Sequence, residues 1–218
     1  MSPQQAAKVT PSLKLVDPSE PQGEPEGLAP SPKSLSDLRL LTMPRGGIDR
    51  LNFTTWDTID VPGFGEDTFR LQGYYVIERA NPTSASWEDA SVNIYMRELS
   101  VSGVSEKFGR VQVAVNPEIG KQSGGQVRPG TRYPGLADAP KLCEMEGFMM
   151  FSLLDVGITV FNKDVIRLQH NITHVPPIGQ GGGTLGRVEV KLYRVDDPDG
   201  PPVATLREVR THIGAWLD

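Results

Sequence analysis

Residues 49–79, DRLNFTTWDTIDVPGFGEDTFRLQGYYVIER, decide the fold class. Two runs rich in Thr, Ile, Val, Phe, Tyr and Trp flank PGFGED, a cluster of the kind that punctuates chains at turns. β-branched and aromatic side chains suit a pleated, half-buried surface, so the stretch predicts a β-hairpin. The same grammar repeats downstream. SVNIYMRELSVSG (91–103) places Val92, Ile94 and Met96 on one face, and FGRVQVAV (108–115) alternates through Val111, Val113 and Val115. Further runs follow at 146–154, 157–161, 164–175, 187–195 and 203–213, each bounded by Gly, Asp, Asn or Pro. The last two flank DDPDGPP, a clear turn. In the final run Val203, Leu206, Val209 and Ile213 also suit a helix, but the clustered Val, Thr and Ile and the preceding turn favour a strand. About nine short strands, with no βαβ rhythm and no fixed-period repeat, predict an all-β chain: an antiparallel β-sandwich or jelly-roll-like domain.

Upstream the composition changes. The first fifty residues contain no Phe, Tyr or Trp, and residues 1–33 are rich in Pro, Glu, Ser and Gln. Such a segment lacks the apolar surface to fold alone and reads as a disordered arm. SLSDLRLLTMP (34–44) follows. Ser34 or Ser36 can cap a short helix near residues 35–42, Leu35, Leu38 and Leu41 share a face, and Pro44 stops it. This piece is too short to be stable alone, so it packs on its own domain or docks on a partner. Residues 45–218 form the single β-sandwich domain.

The chain has 218 residues and a net charge of −5. An acidic surface repels phosphate backbones, which argues against a nucleic-acid partner. Cys143 is the one cysteine, so no intrachain disulfide can form. The N-terminal residues lack the apolar core of a signal peptide, and GFMMFSLLDVGITVF is interrupted by Asp155 and glycines, so no membrane span is expected. The expected location is the cytoplasm.

Several stretches carry potential chemistry. GGGTLGRVEVKLY (181–193) has Gly181, Gly183 and Gly186 at the G-x-G-x-x-G spacing. A dinucleotide loop needs a strand before it and a helix after it; here two prolines precede and the alternating Val188, Val190 and Leu192 follow. The run reads as a flexible lead-in to the last hairpin, with glycines that let some surface approach closely. His170 and His174 share a strand face but lie too far apart along an extended chain to grip one ion. A metal site would need one of them with His212 from the last strand and a carboxylate. Asp196, Asp197 and Asp199 belong to the turn and lack EF-hand spacing. Cys143 has Glu144 and Glu146 as neighbours, the wrong setting for a thiolate nucleophile. The stretch 116–141 reads as a long connection and the one locally basic segment. Lys121, Arg128, Arg132 and Tyr133 within it could hold a small anionic ligand.

No triad or cofactor motif passes its context test, and no cofactor is expected. The arm, the short apolar peptide, the glycine run and the basic loop point to a non-catalytic β-sandwich protein acting by protein–protein binding or self-assembly, as a homo-oligomer or with a protein partner. The alternative is a small-molecule enzyme of sandwich or barrel type. Its pocket would be walled by Met145, Phe148, Met149, Met150 and Phe151, with His170, His174 or His212 as acid, base or metal ligand.

Overall fold

The computed structural model describes residues 43–116 apart from Glu88, residues 121–128 and residues 141–217. The predicted arm (1–33) and the helix near 35–42 lie outside them. The hairpin at 49–79 forms as read: β1 (Gly47–Val61) and β2 (Gly65–Arg79) pair along their whole length from Gly47↔Arg79 to Val61↔Gly65. There follow β3 (Val92–Ser105), β4 (Gly109–Val115), β5 (Gly124–Arg128), β6 (Lys141–Gly147), β7 (Met149–Leu153), β8 (Ile158–Asn162), β9 (Ile166–Ile172), β10 (Gly181–Gly183), β11 (Val190–Arg194) and β12 (Ala204–Trp216). The described residues contain no helix, and the all-β antiparallel architecture expected from the sequence is the one found. The ambiguous final run is a strand.

The apposed layers are walls of one sheet that closes on itself. β12 pairs with β1 from Leu51↔Trp216 to Asp60↔Thr205, so the first and last strands meet. The four long strands β12, β1, β2 and β3 form one side of the wall. On the other side the strands come in collinear pairs. β4 pairs the C-terminal half of β3 and β5 its N-terminal half. β7 continues β6 across Phe148, with β4 beside β7 and β5 beside β6. β8 and β9 come next, and then β11 and β10, which lie against opposite halves of β12. The chain therefore runs up and down around a closed barrel with eight positions in its wall. Closure removes the unpaired edges on which other chains add strands.

Side chains alternate between the interior and solvent as the two-residue period requires. On β1 Leu51, Phe53, Thr55, Asp57, Ile59 and Val61 face in. Two of the three register irregularities along β1, β2, β3 and β12 adjust this. Between Thr58↔Glu208 and Ile59↔Leu206 the extra residue is Arg207, so Leu206 and Val209, three apart, are both buried. Opposite Val76 and Ile77 the extra residue is Arg97, and Met96 and Leu99 are both buried. A bulge re-aims side chains in this way.

Each end of the barrel is closed differently. At the end carrying the β1–β2 and β3–β4 turns, Phe108 is fully buried and meets Phe69 edge-on at 6.0 Å and Phe64 at 6.4 Å. At the other end the closing groups are polar. The Arg79 guanidinium grips both carboxylate oxygens of Asp49 and donates to the Arg45 carbonyl at 2.6 Å, with both side chains buried. Lys141, also buried, donates to the Ala90 carbonyl at 2.7 Å and lies 5.4 Å from the Trp87 ring centroid.

Candidate interior site

A row of small inward side chains crosses the wall between those ends. Thr55 on β1 is the register partner of Thr211 on β12, and Thr211 is the partner of Gly182 on β10. Gly183 pairs with Gln169, which brings Gly182 beside His170 on β9, and His170 is the partner of Cys143 on β6. The glycine run is thus a short strand, not the expected flexible lead-in, and the surface that needs its glycines is the protein's own. A β-carbon on Gly182 would come within 2.5 Å of the Gln169 carbonyl oxygen and closer still to His170 Cγ.

His170 is 3 % exposed. Its Nε2 lies 3.4 Å from Thr211 Oγ1, and its Nδ1 is buried with no hydrogen-bond partner among the described residues. Burial disfavours the imidazolium and pushes the pKa down to about 4, so the ring is neutral at physiological pH. At the other end of the row Thr55 donates to Asp57 Oδ1 at 2.5 Å. Desolvation outweighs that hydrogen bond and pushes the Asp57 carboxyl up to about 7. Tyr75 reaches in from β2; burial first, then the charges of Cys143 and Asp49, push its phenol up. The barrel interior therefore holds a neutral imidazole and a carboxyl able to gain or lose a proton near neutrality, both shut off from solvent. Perturbed groups of this kind gather at functional sites.

Asp57 was not among the residues singled out from the sequence. Its sign was present: it occupies an inward register position in the alternation Leu51, Phe53, Thr55, Asp57, Ile59, Val61, where a carboxylate is out of place.

The other candidates separate. His174 is half-buried beyond β9, with Nε2 3.0 Å from the Ile178 carbonyl oxygen and Nδ1 3.1 Å from Thr173 Oγ1. His212 faces outward one residue after Thr211. The three imidazoles are not brought together, and among the described residues no group of three or more His, Cys, Asp or Glu could hold a metal ion. The stretch 116–141 is not one structureless connection: Gly124–Arg128 pair on both sides as β5, and Lys141 opens β6 in the interior. Lys121 is exposed with its ammonium 5.1 Å from the Phe148 ring centroid, and Arg128 is paired with Glu144 at 2.9 Å. Arg132 and Tyr133 lie outside the described residues. Burial, and secondarily Glu144, push the Cys143 thiol up to about 12, so it is inert. Of the expected pocket wall, Met145, Phe148, Met149 and Phe151 are buried, whereas Met150 is half-buried. The three aspartates do belong to a turn, where Arg194 grips Asp196. Among the described residues no helix is long and apolar enough to cross a membrane.

Comparison with known proteins bears on what the interior is for. None of the curated proteins matches the chain. Among solved structures, DynF from the dynemicin biosynthesis pathway of Micromonospora chersina is similar over 82 % of this chain and 84 % of its own, with 34 % sequence identity and a TM-score of 0.76. This likeness corrects the expectation of a non-catalytic protein acting by protein–protein binding or self-assembly, because the similar protein belongs to a biosynthetic pathway. The features behind that expectation also lose their force. The arm and the short apolar peptide lie outside the described residues, the glycine run serves an internal contact, and the closed sheet offers no edge. A family model matches residues 4–218, nearly the whole chain, and the protein belongs to that family, described as "Family of unknown function (DUF6073)".

Proposed function

We propose that this protein acts on a small molecule held inside the barrel, in the biosynthesis of a natural product. The observation that carries the reading is Nδ1 of His170, which has no partner among the described residues and is buried in the wall of a closed eight-position barrel. A buried polar atom without a partner costs stability, and such atoms persist where a function uses them. Barrels of this size have interiors just wide enough for side chains or for one small ligand. The pathway named for DynF supplies the biological setting. In this reading Met145, Phe151 and Tyr75 give apolar contact, and Thr55, Thr211, His170 and Asp57 give the few polar groups that orient a ligand. Asp57, with its carboxyl near neutrality, is the group able to give or take a proton if the molecule is converted as well as bound.

The test is binding of a neutral apolar fluorophore, N-phenyl-1-naphthylamine, to the full chain. The expected result is saturable one-to-one binding that is lost in Thr211→Phe, which fills the row, and kept in Arg210→Phe, which changes the outer face. Undiminished binding to a folded Thr211→Phe protein would place the ligand elsewhere and overturn the reading.

A further inference from the structure

Resting on the interior-site reading, we infer that the molecule held there is uncharged and presents a hydroxyl or carbonyl oxygen to Nδ1 of His170. Four observations support this. First, Nδ1 is buried and unpartnered, while the other ring nitrogen is within reach of Thr211 Oγ1. If Thr211 donates to Nε2, then Nδ1 carries the proton and donates to a hydroxyl or carbonyl oxygen. If Thr211 accepts, Nδ1 is the acceptor and a hydroxyl donates to it. An oxygen function therefore completes the ring's hydrogen bonding in either tautomer.

Second, the buried cations among the described residues are already engaged with the protein's own oxygens. The Arg79 guanidinium is committed to both oxygens of Asp49 and to the Arg45 carbonyl, and the Lys141 ammonium to the Ala90 carbonyl. The imidazole is neutral, because its surroundings favour the uncharged ring. Third, Asp57 faces the same interior and would repel a second carboxylate whenever it is ionised. Burying an unpaired charge costs far more than burying a hydroxyl that finds a partner. Fourth, the residues flanking His170 in the row are small: Gly182, Thr211, Thr55 and Cys143. At Gly182 the missing side chain is what allows the ring to lie where it does. The row is thus built around the imidazole.

The experiment compares four probes on one carbon skeleton with the full chain at about pH 7: naphthalene, 2-naphthol, 2-naphthoate and 2-naphthylmethylammonium. Affinities are read by titration, and ¹⁵N-histidine NMR reads the His170 ring directly. The expected result is that 2-naphthol binds about tenfold more tightly than any of the others, the size of one buried hydrogen bond. It should also shift the His170 Nδ1 resonance, and in His170→Phe its affinity should fall to that of naphthalene. If naphthalene and 2-naphthol bind equally, or the naphthoate or the ammonium binds most tightly, the inference is overturned while the interior site stands. If 2-naphthol binds without moving the His170 ¹⁵N signals, the inference is again overturned, whatever the variant does. If none of the four binds, the inference and the interior-site reading fall together.

Discussion

The imidazole of His170 occupies the space that a side chain on Gly182 would need. The two residues sit side by side on neighbouring strands, and the absence of one side chain positions the other. Replacing Gly182 by Ala forces the new carbon against His170 Cγ and the Gln169 carbonyl, and backbone cannot yield cheaply. Overpacking of this kind costs about 1–3 kcal/mol. Urea denaturation is expected to show a loss of that size for Gly182→Ala. Gly47→Ala, whose new carbon would meet only Arg79 Nη2 at 3.5 Å, should stay within about 1 kcal/mol of the parent.

Stability should carry two opposed pH dependences. The Asp57 carboxyl titrates near 3.8 when unfolded and near 7 when folded, so the folded state keeps a proton that the unfolded state has lost. Its contribution is fully present below about pH 4 and is lost as pH rises through about 7. His170 behaves oppositely. Its folded value of about 4 lies below the ordinary 6.5, so its contribution is present above about pH 6.5 and is lost as pH falls through about 4. The two slopes offset each other between these limits. Asp57→Asn should unmask the histidine slope, with stability relative to the parent rising with pH to a gain on the order of 4 kcal/mol at pH 8. His170→Phe should unmask the reverse slope. Chemical denaturation from pH 4 to 8 checks both, and parallel curves for parent and Asp57→Asn would sink the assignment.

The Asp49–Arg79 pair closes the polar end of the barrel. Asp49→Ala leaves a buried guanidinium with the Arg45 carbonyl as its remaining hydrogen-bond partner among the described residues, and losing one member of a buried pair costs about 3–5 kcal/mol. The double variant Asp49→Leu/Arg79→Met removes both charges and should recover most of that loss. A double variant no more stable than Asp49→Ala would show that the pair's charge is not what matters.

Cys143 should be silent in the native protein. It is buried and its thiol is held near 12, so the thiolate that reacts with iodoacetamide is scarce and out of reach. Labelling followed by mass spectrometry is expected to give no native-state modification on the time scale of a free thiol, and full modification in denaturant. Rapid native labelling would contradict the interior position of the row.

The fold class was open to reading because strand periodicity and turn chemistry are local. Val92, Ile94 and Met96, or the hairpin around PGFGED, announce themselves within a dozen residues. Closure was not open in that way. That β12 returns to β1 depends on accumulated strand tilt and on bulges at Arg97 and Arg207, which no short window encodes. The histidines show the same division. Their spacing put both on one strand face, and His170 does point into the interior. The same alternation was carried on to His174, but β9 ends at Ile172, and the chain leaves the sheet before that residue.

The sequence by itself determined an antiparallel all-β chain, a structural cysteine and a glycine run with no helix to make it a phosphate loop. All of these follow from local propensity and period. Only the tertiary structure decided that the sheet closes, that Gly182 makes room for His170, and that Thr55, Thr211, His170 and Cys143 stand in one row. Those residues come from four strands spread between positions 55 and 211. Their meeting is set by register across the wall, and their chemistry by the water that the closed wall excludes.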